Sequence, residues 1–162
     1  MNYKKPVEYL IEYAELEEII KILKVSNKNI FFVGGATRSI LSEEYSNTDI
    51  DIVVPNIEDE AIEELNNQFD VKFFPSYRSL AISTGNFEYQ INSFRKDIKS
   101  TGRHSKVAPA QTLNEDSQRR DFTFNSVYIN LDGDVFDFYS GMKDFHENLL
   151  RFIFNPIDQI HQ

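Results

Sequence analysis

Two carboxylates two positions apart on an apolar segment are the part of this sequence best suited to metal chemistry. Asp49 and Asp51 lie in the run Asp49-Ile50-Asp51-Ile52-Val53-Val54. In an extended segment side chains alternate between faces, so the two aspartates share one face. Adjacent carboxylates repel each other unless cations offset the charge, and oxygen ligands favour Mg²⁺ or Mn²⁺. The segment therefore suggests a two-metal site for phosphoryl transfer; the alternative is a pair of solvated side chains on an exposed edge strand.

A glycine pair precedes these carboxylates. Phe31-Phe32-Val33 predicts a buried strand, Gly34-Gly35 a turn where backbone can approach a ligand, and residues 36–44 a short helix. Such a turn presents backbone N–H groups to an anion, and Arg38 could add a bidentate contact to a triphosphate. The alternative is a plain strand-to-helix turn that carries a surface arginine.

A third run is rich in groups that bind phosphate and hydroxyls: Arg119-Arg120-Asp121-Phe122-Thr123-Phe124-Asn125. Arginine supplies a planar fork for phosphate, whereas Asp121 and Asn125 can accept from and donate to hydroxyls. The alternative interpretation is a surface ion-pair cluster, which contributes little to stability.

Together these motifs resemble the catalytic head domain of the class II tRNA nucleotidyltransferase (CCA-adding) and bacterial poly(A) polymerase family, a branch of the polymerase β-type nucleotidyltransferases. The resemblance covers about residues 30–156. It rests on Gly-Gly-x-x-Arg, Asp-x-Asp, Arg-Arg-Asp-Phe-Thr-x-Asn and an Asp-x-x-x-Gly-x-x-Asp pattern at residues 137–144.

The resemblance implies a role for each motif. Asp49 and Asp51 would be catalytic and hold Mg²⁺ or Mn²⁺, with ATP and CTP as substrates. Arg95 would make a contact from a flexible loop that spans residues 93–106, although a solvated linker would have the same composition. Six residues are implied to bind the nucleotide: Gly34, Gly35, Arg38, Arg120, Asp121 and Asn125. The last three are also implied to favour a ribose over a deoxyribose.

The expected function is metal-dependent transfer of nucleotides from nucleoside triphosphates to an RNA 3′ end, with pyrophosphate release. The expected acceptor is tRNA, through CCA addition or part of it. The alternative is a catalytically degenerate nucleotide-binding head domain, or one half of a split enzyme that acts through a partner chain.

Three departures from the family pattern motivate that alternative. Ser39 stands where relatives have Asp, and Gln90 where relatives have a third carboxylate, for which Glu88 on the same strand face is a possible substitute. The sequence also stops at Gln162, about where the family's base-selecting neck motif begins. We therefore expect a second chain to supply neck and body domains if the enzyme is split.

Charge and composition bound the remaining possibilities. The 162-residue chain has a net charge of −9, which argues against coating nucleic acid by bulk electrostatics. Residues 95–120 nevertheless carry seven basic and three acidic side chains, a local charge of +4 against −13 elsewhere. Without cysteine, a membrane-length apolar run or a leader pattern, the sequence predicts a cytoplasmic protein that makes no membrane contact.

Periodicity predicts an α/β (α+β) fold, with a mixed or antiparallel sheet flanked by helices. An N-terminal helical segment (1–29) would pack on the head domain (30–156), and residues 157–162 would begin a truncated neck. One amphipathic helix is expected from Val7 to Leu23 and another over 61–69, capped by Asn56. Strands are expected near 30–33, 49–54, 71–74, 79–83, 87–94, 126–131 and 134–138, with a hairpin turn at Asp132-Gly133.

Overall fold

The computed structural model describes residues 2–98 and 106–154. These residues form a seven-stranded sheet, a separate two-stranded sheet, six α-helices and two short 3₁₀ helices at Pro75–Tyr77 and Thr123–Ser126. The helices are α1 (Lys4–Tyr13), α2 (Glu17–Ser26), α3 (Gly34–Ser42), α4 (Asp59–Gln68), α5 (Leu113–Ser117) and α6 (Gly141–His146). The strands are β1 (Phe31–Val33), β2 (Asp49–Val54), β3 (Val71–Phe74), β4 (Ser79–Ser83), β5 (Glu88–Ser93), β6 (Arg95–Ile98), β7 (Lys106–Pro109), β8 (Val127–Asn130) and β9 (Val135–Asp137).

The large sheet has the strand order β3-β4-β5-β2-β1-β8-β9. Its pairs are antiparallel except for β2 with β5, which run parallel. The predicted fold class is therefore confirmed, and the predicted strands agree with the observed ones to within one residue at each end. The Asp132-Gly133 turn joins β8 to β9 as expected, with Gly133 at φ +81°.

The side chains of β2 alternate between the two faces of the sheet, as predicted, and contribute to a separate apolar cluster on each face. Ile50, Ile52 and Val54 face a large apolar cluster formed with helices α1 to α4. Val53 faces the other way, into a smaller cluster with Phe31, Val33 and Tyr128, among others. Asp49 and Asp51 lie on the same face as Val53, so the carboxylates stand on the side of the sheet that α1 to α4 leave uncovered.

The prediction of one N-terminal helix was wrong, because two helices occupy that segment. Glu15 lies between the two helices and adopts a left-handed backbone conformation with φ 53°, which ends the helical path after α1. The cap predicted at Asn56 was also wrong. Helix α4 begins at Asp59 after Glu58, whereas the Asn56 amide donates to Glu58 and accepts from Arg78.

The loop predicted over residues 93–106 was wrong in part. Strand β6 pairs antiparallel with β7, and three of the four β6 side chains are charged, so apolar periodicity gave no signal for this strand. Residues 99–105 lie outside the described part of the chain. So does the predicted neck segment, and the three domain boundaries stay predictions. No helix within residues 2–98 and 106–154 is long and apolar enough to cross a membrane.

Gly133 offers a test of how the N-terminal helices are held. The Tyr3 N–H donates to the Gly133 carbonyl at 2.9 Å, and a Cβ added to Gly133 would collide with the backbone of Lys4. We expect Gly133→Ala to lower the free energy of unfolding by about 3 kcal/mol, combining left-handed backbone strain with overpacking.

The matched control is Gly85→Ala. Gly85 has a similar φ of +84° but nothing within 4 Å of an added Cβ, so the same substitution should cost about 1 kcal/mol from backbone strain alone. Urea unfolding of both variants measures the difference. Equal losses would show that the contact with Lys4 does not anchor the N-terminal helices.

Candidate active site

The site begins where the glycine pair, which starts helix α3 rather than preceding a helix over 36–44 as predicted, meets the second aspartate. Strand β1 pairs antiparallel with β2 so that Val33 lies opposite Asp51, and Gly34 follows directly. Gly34 has φ +61°, and a Cβ added there would lie 2.9 Å from Asp51 Oδ2. Backbone and carboxylate can approach this closely because residue 34 has no side chain.

Asn47 fixes the backbone at the first aspartate. Its side-chain amide donates to the Asp49 carbonyl at 2.7 Å and accepts from the Asp49 N–H at 3.1 Å. A Cβ added to Gly35 would collide with the same amide, so Gly35 leaves space for it. Sequence reasoning missed Asn47, although asparagine is known for binding backbone two residues ahead in turns.

Asp49 is exposed, whereas Asp51 is half-buried. Burial raises the pKa of the Asp51 carboxyl above its ordinary value, Arg120 works in the opposite direction, and Asp49 adds to the rise. Within the described ranges neither aspartate has an ion-pair partner within 4.0 Å. The two neighbouring carboxylates therefore have unbalanced negative charge, which a cation would offset.

Arg120 is held from behind by a buried acid. Its Nε donates to the Tyr128 hydroxyl at 2.8 Å, that hydroxyl donates to Asp116 Oδ2 at 2.8 Å, and Arg120 Nη2 lies 3.3 Å from the same oxygen. Burial acts to lower the pKa of Arg120, but Tyr128 and Asp116 more than offset it, so the group stays charged. Sequence reasoning missed Asp116; its spacing of four from Arg120 was the available signal.

The remaining polar groups form a chain across the site. Arg38 Nη1 donates to Asn125 Oδ1 at 2.6 Å, and Asn125 Nδ2 donates to Asp121 Oδ1 at 3.1 Å. The Arg38 guanidinium also lies 5.9 Å from the centre of the Phe124 ring. Residues 87 positions apart in sequence are thus brought into direct contact.

These groups line an open cleft of about 500 Å³. Its lining contains all the residues predicted to bind the nucleotide. It also contains one of the two predicted metal ligands and an arginine to which no role was assigned. They are Gly34, Gly35, Arg38, Asp51, Arg119, Arg120, Asp121 and Asn125. Asp49 shares the strand face of Asp51 without lining the cleft, and Arg95 does not line it either.

The residues of the Asp-x-x-x-Gly-x-x-Asp pattern hold helix α6 against the segment that begins at Thr123. Asp137 accepts hydrogen bonds from the backbone N–H groups of residues 139, 141 and 142 and so holds the start of α6. Gly141 packs on the Thr123 carbonyl, where a Cβ would collide. Buried Asp144 accepts from the Thr123 hydroxyl at 2.6 Å and pairs with Arg151 at 2.9 Å. Both aspartates of this pattern therefore position the segment that carries Asn125.

Arg95 lies near Arg119 but outside the lining of the cleft. Its guanidinium lies 5.6 Å from the centre of the Tyr77 ring, and its pKa is lowered by burial and then by Arg119. The Nε atoms of Arg95 and Arg119 are buried and have no hydrogen-bond partner among residues 2–98 and 106–154. Asp97 lies 3.7 Å from Arg119 Nε, an ion-pair distance.

The register of β5 settles the position of the third-carboxylate candidates. Gln90 lies opposite Asp51 and Glu88 opposite Asp49, so all four side chains share one face. Glu88 accepts from the Ser83 hydroxyl at 2.6 Å. The residue beside Asp51 is thus a neutral amide.

Comparison with known proteins identifies the family. The model of the Poly A polymerase head domain matches residues 30–151, three quarters of the chain. The chain belongs to the poly(A) polymerase head domain family. All the residues that line the cleft fall within the matched segment.

Relatives of this head domain include curated CCA-adding enzymes. That of Streptococcus agalactiae serotype V is 30% identical over 142 residues, covering 86% of this chain and 35% of the enzyme. That of Streptococcus gordonii is 26% identical over 153 residues, covering 93% and 38%. The chain thus spans little more than a third of the length of these relatives.

Solved structures agree with this assignment. A CCA-adding enzyme in an apo form has a TM-score of 0.74 at 23% identity, covering 95% of this chain and 38% of the other, and shows the shared fold. A tRNA nucleotidyltransferase complexed with a primer tRNA and an incoming ATP analogue has a TM-score of 0.63 at 27% identity, covering 83% and 38%.

The Tyr128 hydroxyl offers a test of how Arg120 is held. We expect Tyr128→Phe to reduce the free energy of unfolding by about 1–3 kcal/mol, because buried donor and acceptor groups of Arg120 and Asp116 lose a partner. Tyr9→Phe is the control: Tyr9 is 54% exposed and should change stability by less than about 0.5 kcal/mol. Thermal and urea unfolding measure both variants. A Tyr128→Phe variant as stable as the control would contradict the assigned network.

Proposed function

We propose that this chain catalyses metal-dependent transfer of a nucleotide from a nucleoside triphosphate to the 3′ end of an RNA, with pyrophosphate as the leaving group. The observation that carries the proposal is the close approach of Gly34 to the Asp51 carboxylate at the edge of a cleft that also contains Arg38, Arg120 and Asn125. A phosphate-binding turn and an acidic strand thus meet at one site.

Each side of the cleft has its own task in this proposal. The backbone N–H groups of Gly34 and Gly35 at the start of α3, together with Arg38, bind the triphosphate. Arg120 adds a fixed positive charge whose position Asp116 and Tyr128 maintain. Asp121 and Asn125 bind the ribose hydroxyls, and their mutual hydrogen bond orients both side chains.

Asp49 and Asp51 fit Mg²⁺ or Mn²⁺ as ligands. They offer oxygen donors on one strand face and lack a counter-cation in the described part of the chain. That part contains no cluster of three or more His, Cys, Asp or Glu side chains suited to a metal. Two carboxylates nevertheless suffice for Mg²⁺, which is usually held by one or two carboxylates together with substrate phosphates and water. When bound, such an ion stabilises negative charge on the phosphoryl oxygens.

We propose tRNA as the acceptor and CTP or ATP as donors. The curated relatives are CCA-adding enzymes, and solved neighbours include a tRNA-processing enzyme with CTP and a tRNA nucleotidyltransferase with primer tRNA and an ATP analogue. We propose that addition of all of CCA or part of it takes place in the cytoplasm.

A second candidate is a head domain that binds nucleotide without transferring it, or that requires a partner chain. It is favoured by Gln90, a neutral side chain opposite Asp51 in the β2–β5 register. Glutamine lacks the negative charge that a further metal ion prefers. Nucleotide binding without transfer by the isolated chain would support this candidate.

The central test is extension of a tRNA that lacks its CCA end, with Mg²⁺ and CTP or ATP. We expect Asp49→Asn and Asp51→Asn each to reduce the rate at least about 100-fold, because a ligand that supports several kcal/mol of charge stabilisation loses its charge. Asp70→Asn is the control, since Asp70 is exposed and lies outside the cleft. Extension unchanged in both strand variants would contradict the proposed site.

A further inference from the structure

The carboxylate strand has different neighbours on its two sides. On one side lie β1, the glycine turn and the cleft; on the other lie β5 and then β4. Under the proposed function the triphosphate occupies the first side. In an in-line displacement the attacking and leaving oxygens lie on opposite sides of the transferred phosphorus. The acceptor must therefore approach from the side of β5 and β4.

That side presents polar side chains on the same face as the aspartates. Gln90 lies opposite Asp51. Asn92, two residues farther along β5 and so on the same face, lies opposite Val53. Gln90 is exposed and Asn92 half-buried. The small apolar cluster on this face draws its strand residues from β1, β2 and β8, with Phe136 of β9 packed against it, so it includes no residue of β4 or β5.

Beyond Asn92 the same surface ends in an aromatic ring stacked with a cation. Tyr77 is 48% exposed, and the Arg95 guanidinium lies 5.6 Å from the centre of its ring. Arg95 is half-buried, and its Nε has no hydrogen-bond partner in residues 2–98 and 106–154. The Nε of the adjacent Arg119 is likewise buried without a hydrogen-bond partner in these residues, and Arg119 lines the nucleotide cleft.

The turn that carries Tyr77 is fixed in place. Arg78 adopts φ 44°, and its guanidinium binds the Ile57 carbonyl, Asn56 Oδ1 at 3.0 Å and Asp59 Oδ1 at 2.8 Å. The Ser93 N–H donates to the Arg78 carbonyl at 3.1 Å, which ties the turn to the end of β5. The aromatic ring is thus presented by a preorganised support.

We propose that Gln90, Asn92, Arg95 and Tyr77 form an acceptor surface that binds the single-stranded 3′ segment of the RNA. A base of that segment stacks on Tyr77, and a backbone phosphate binds Arg95, while the terminal nucleotide lies over β5 next to Asp51. This inference rests on the proposed function. A stacking ring with a neighbouring cation is the combination by which proteins hold single strands with little sequence preference.

The test measures RNA and nucleotide binding separately on the full chain. The RNA probe is a short 5′-labelled single strand with a free 3′ hydroxyl, followed by fluorescence anisotropy with Mg²⁺ and an α,β-methylene ATP analogue. The nucleotide probe is the same analogue with Mg²⁺, followed by the shift in melting temperature. We expect Tyr77→Ala to weaken RNA binding about 10-fold, and Tyr77→Phe to leave it unchanged because the stacking face remains.

Arg95→Gln should weaken RNA binding and also make it less dependent on salt. Loss of one phosphate contact on a single strand should reduce the slope of log K against log salt by about 0.7, whereas Tyr77→Ala should leave that slope unchanged. Tyr9→Ala is the control for the tyrosine. Tyr9 is 54% exposed and packs beside Tyr13 and Tyr45, away from the acceptor surface.

The two arms keep the inference distinct from the proposed function. Failure of the wild-type chain to bind the ATP analogue would overturn the proposed function and the inference with it. If the wild-type chain binds the ATP analogue but not the RNA, the acceptor surface is wrong and the proposed function is not. The same holds if nucleotide binding is intact and Tyr77→Ala and Arg95→Gln bind RNA as well as the wild-type chain does. The proposed acceptor surface would also be overturned if Arg95→Gln weakened nucleotide binding and left RNA binding unchanged. If Tyr77→Ala does not fold, Tyr77→Leu removes the stacking face while keeping apolar bulk.

Discussion

The pairing register between β1 and β2 is the constraint on which the site depends. Because Val33 lies opposite Asp51, the chain leaves β1 at Gly34 directly beside the Asp51 carboxylate. A shift of one residue would turn both aspartates towards the apolar cluster under α1 to α4 and bring the isoleucines to the open face. The large core on one face thus fixes where the carboxylates stand on the other. Gly34 then allows the turn to approach Asp51 without a side chain between them.

The acidic residues of the motifs differ in what balances their charge. Arg120 balances the charge of Asp116 and Arg151 that of Asp144, and the hydroxyls of Tyr128 and Thr123 donate to the same two carboxylates. Asp137 accepts hydrogen bonds from the first backbone N–H groups of α6. Asp49 and Asp51 have no such partner in the described part of the chain. This contrast separates carboxylates that position the cleft from carboxylates that remain available to a cation, a distinction that the sequence motifs alone do not make.

Alternation and turn signals predicted most of the sheet, because they are local, whereas the residues proposed to bind the nucleotide followed from the resemblance of their motifs to the head-domain family. Asp49 and Asp51 share a face because strand periodicity requires it. The hydrogen bonds of Asn47 to Asp49 and of Asp116 to Arg120 and Tyr128 were missed, since single polar residues carry no periodic pattern. Strand β6 was predicted to be loop because three of its four side chains are charged. The break at Glu15 was missed because both helices have apolar residues on their buried faces.

The most direct test of the central claim is a crystal structure with Mn²⁺ and a non-hydrolysable CTP analogue, in which anomalous scattering locates the metal. The account predicts an anomalous peak within bonding distance of Asp49 and Asp51, and a triphosphate that lies along the Gly34-Gly35 turn and contacts Arg38. Nucleotide bound with its triphosphate elsewhere, or Mn²⁺ bound away from both aspartates, would contradict it.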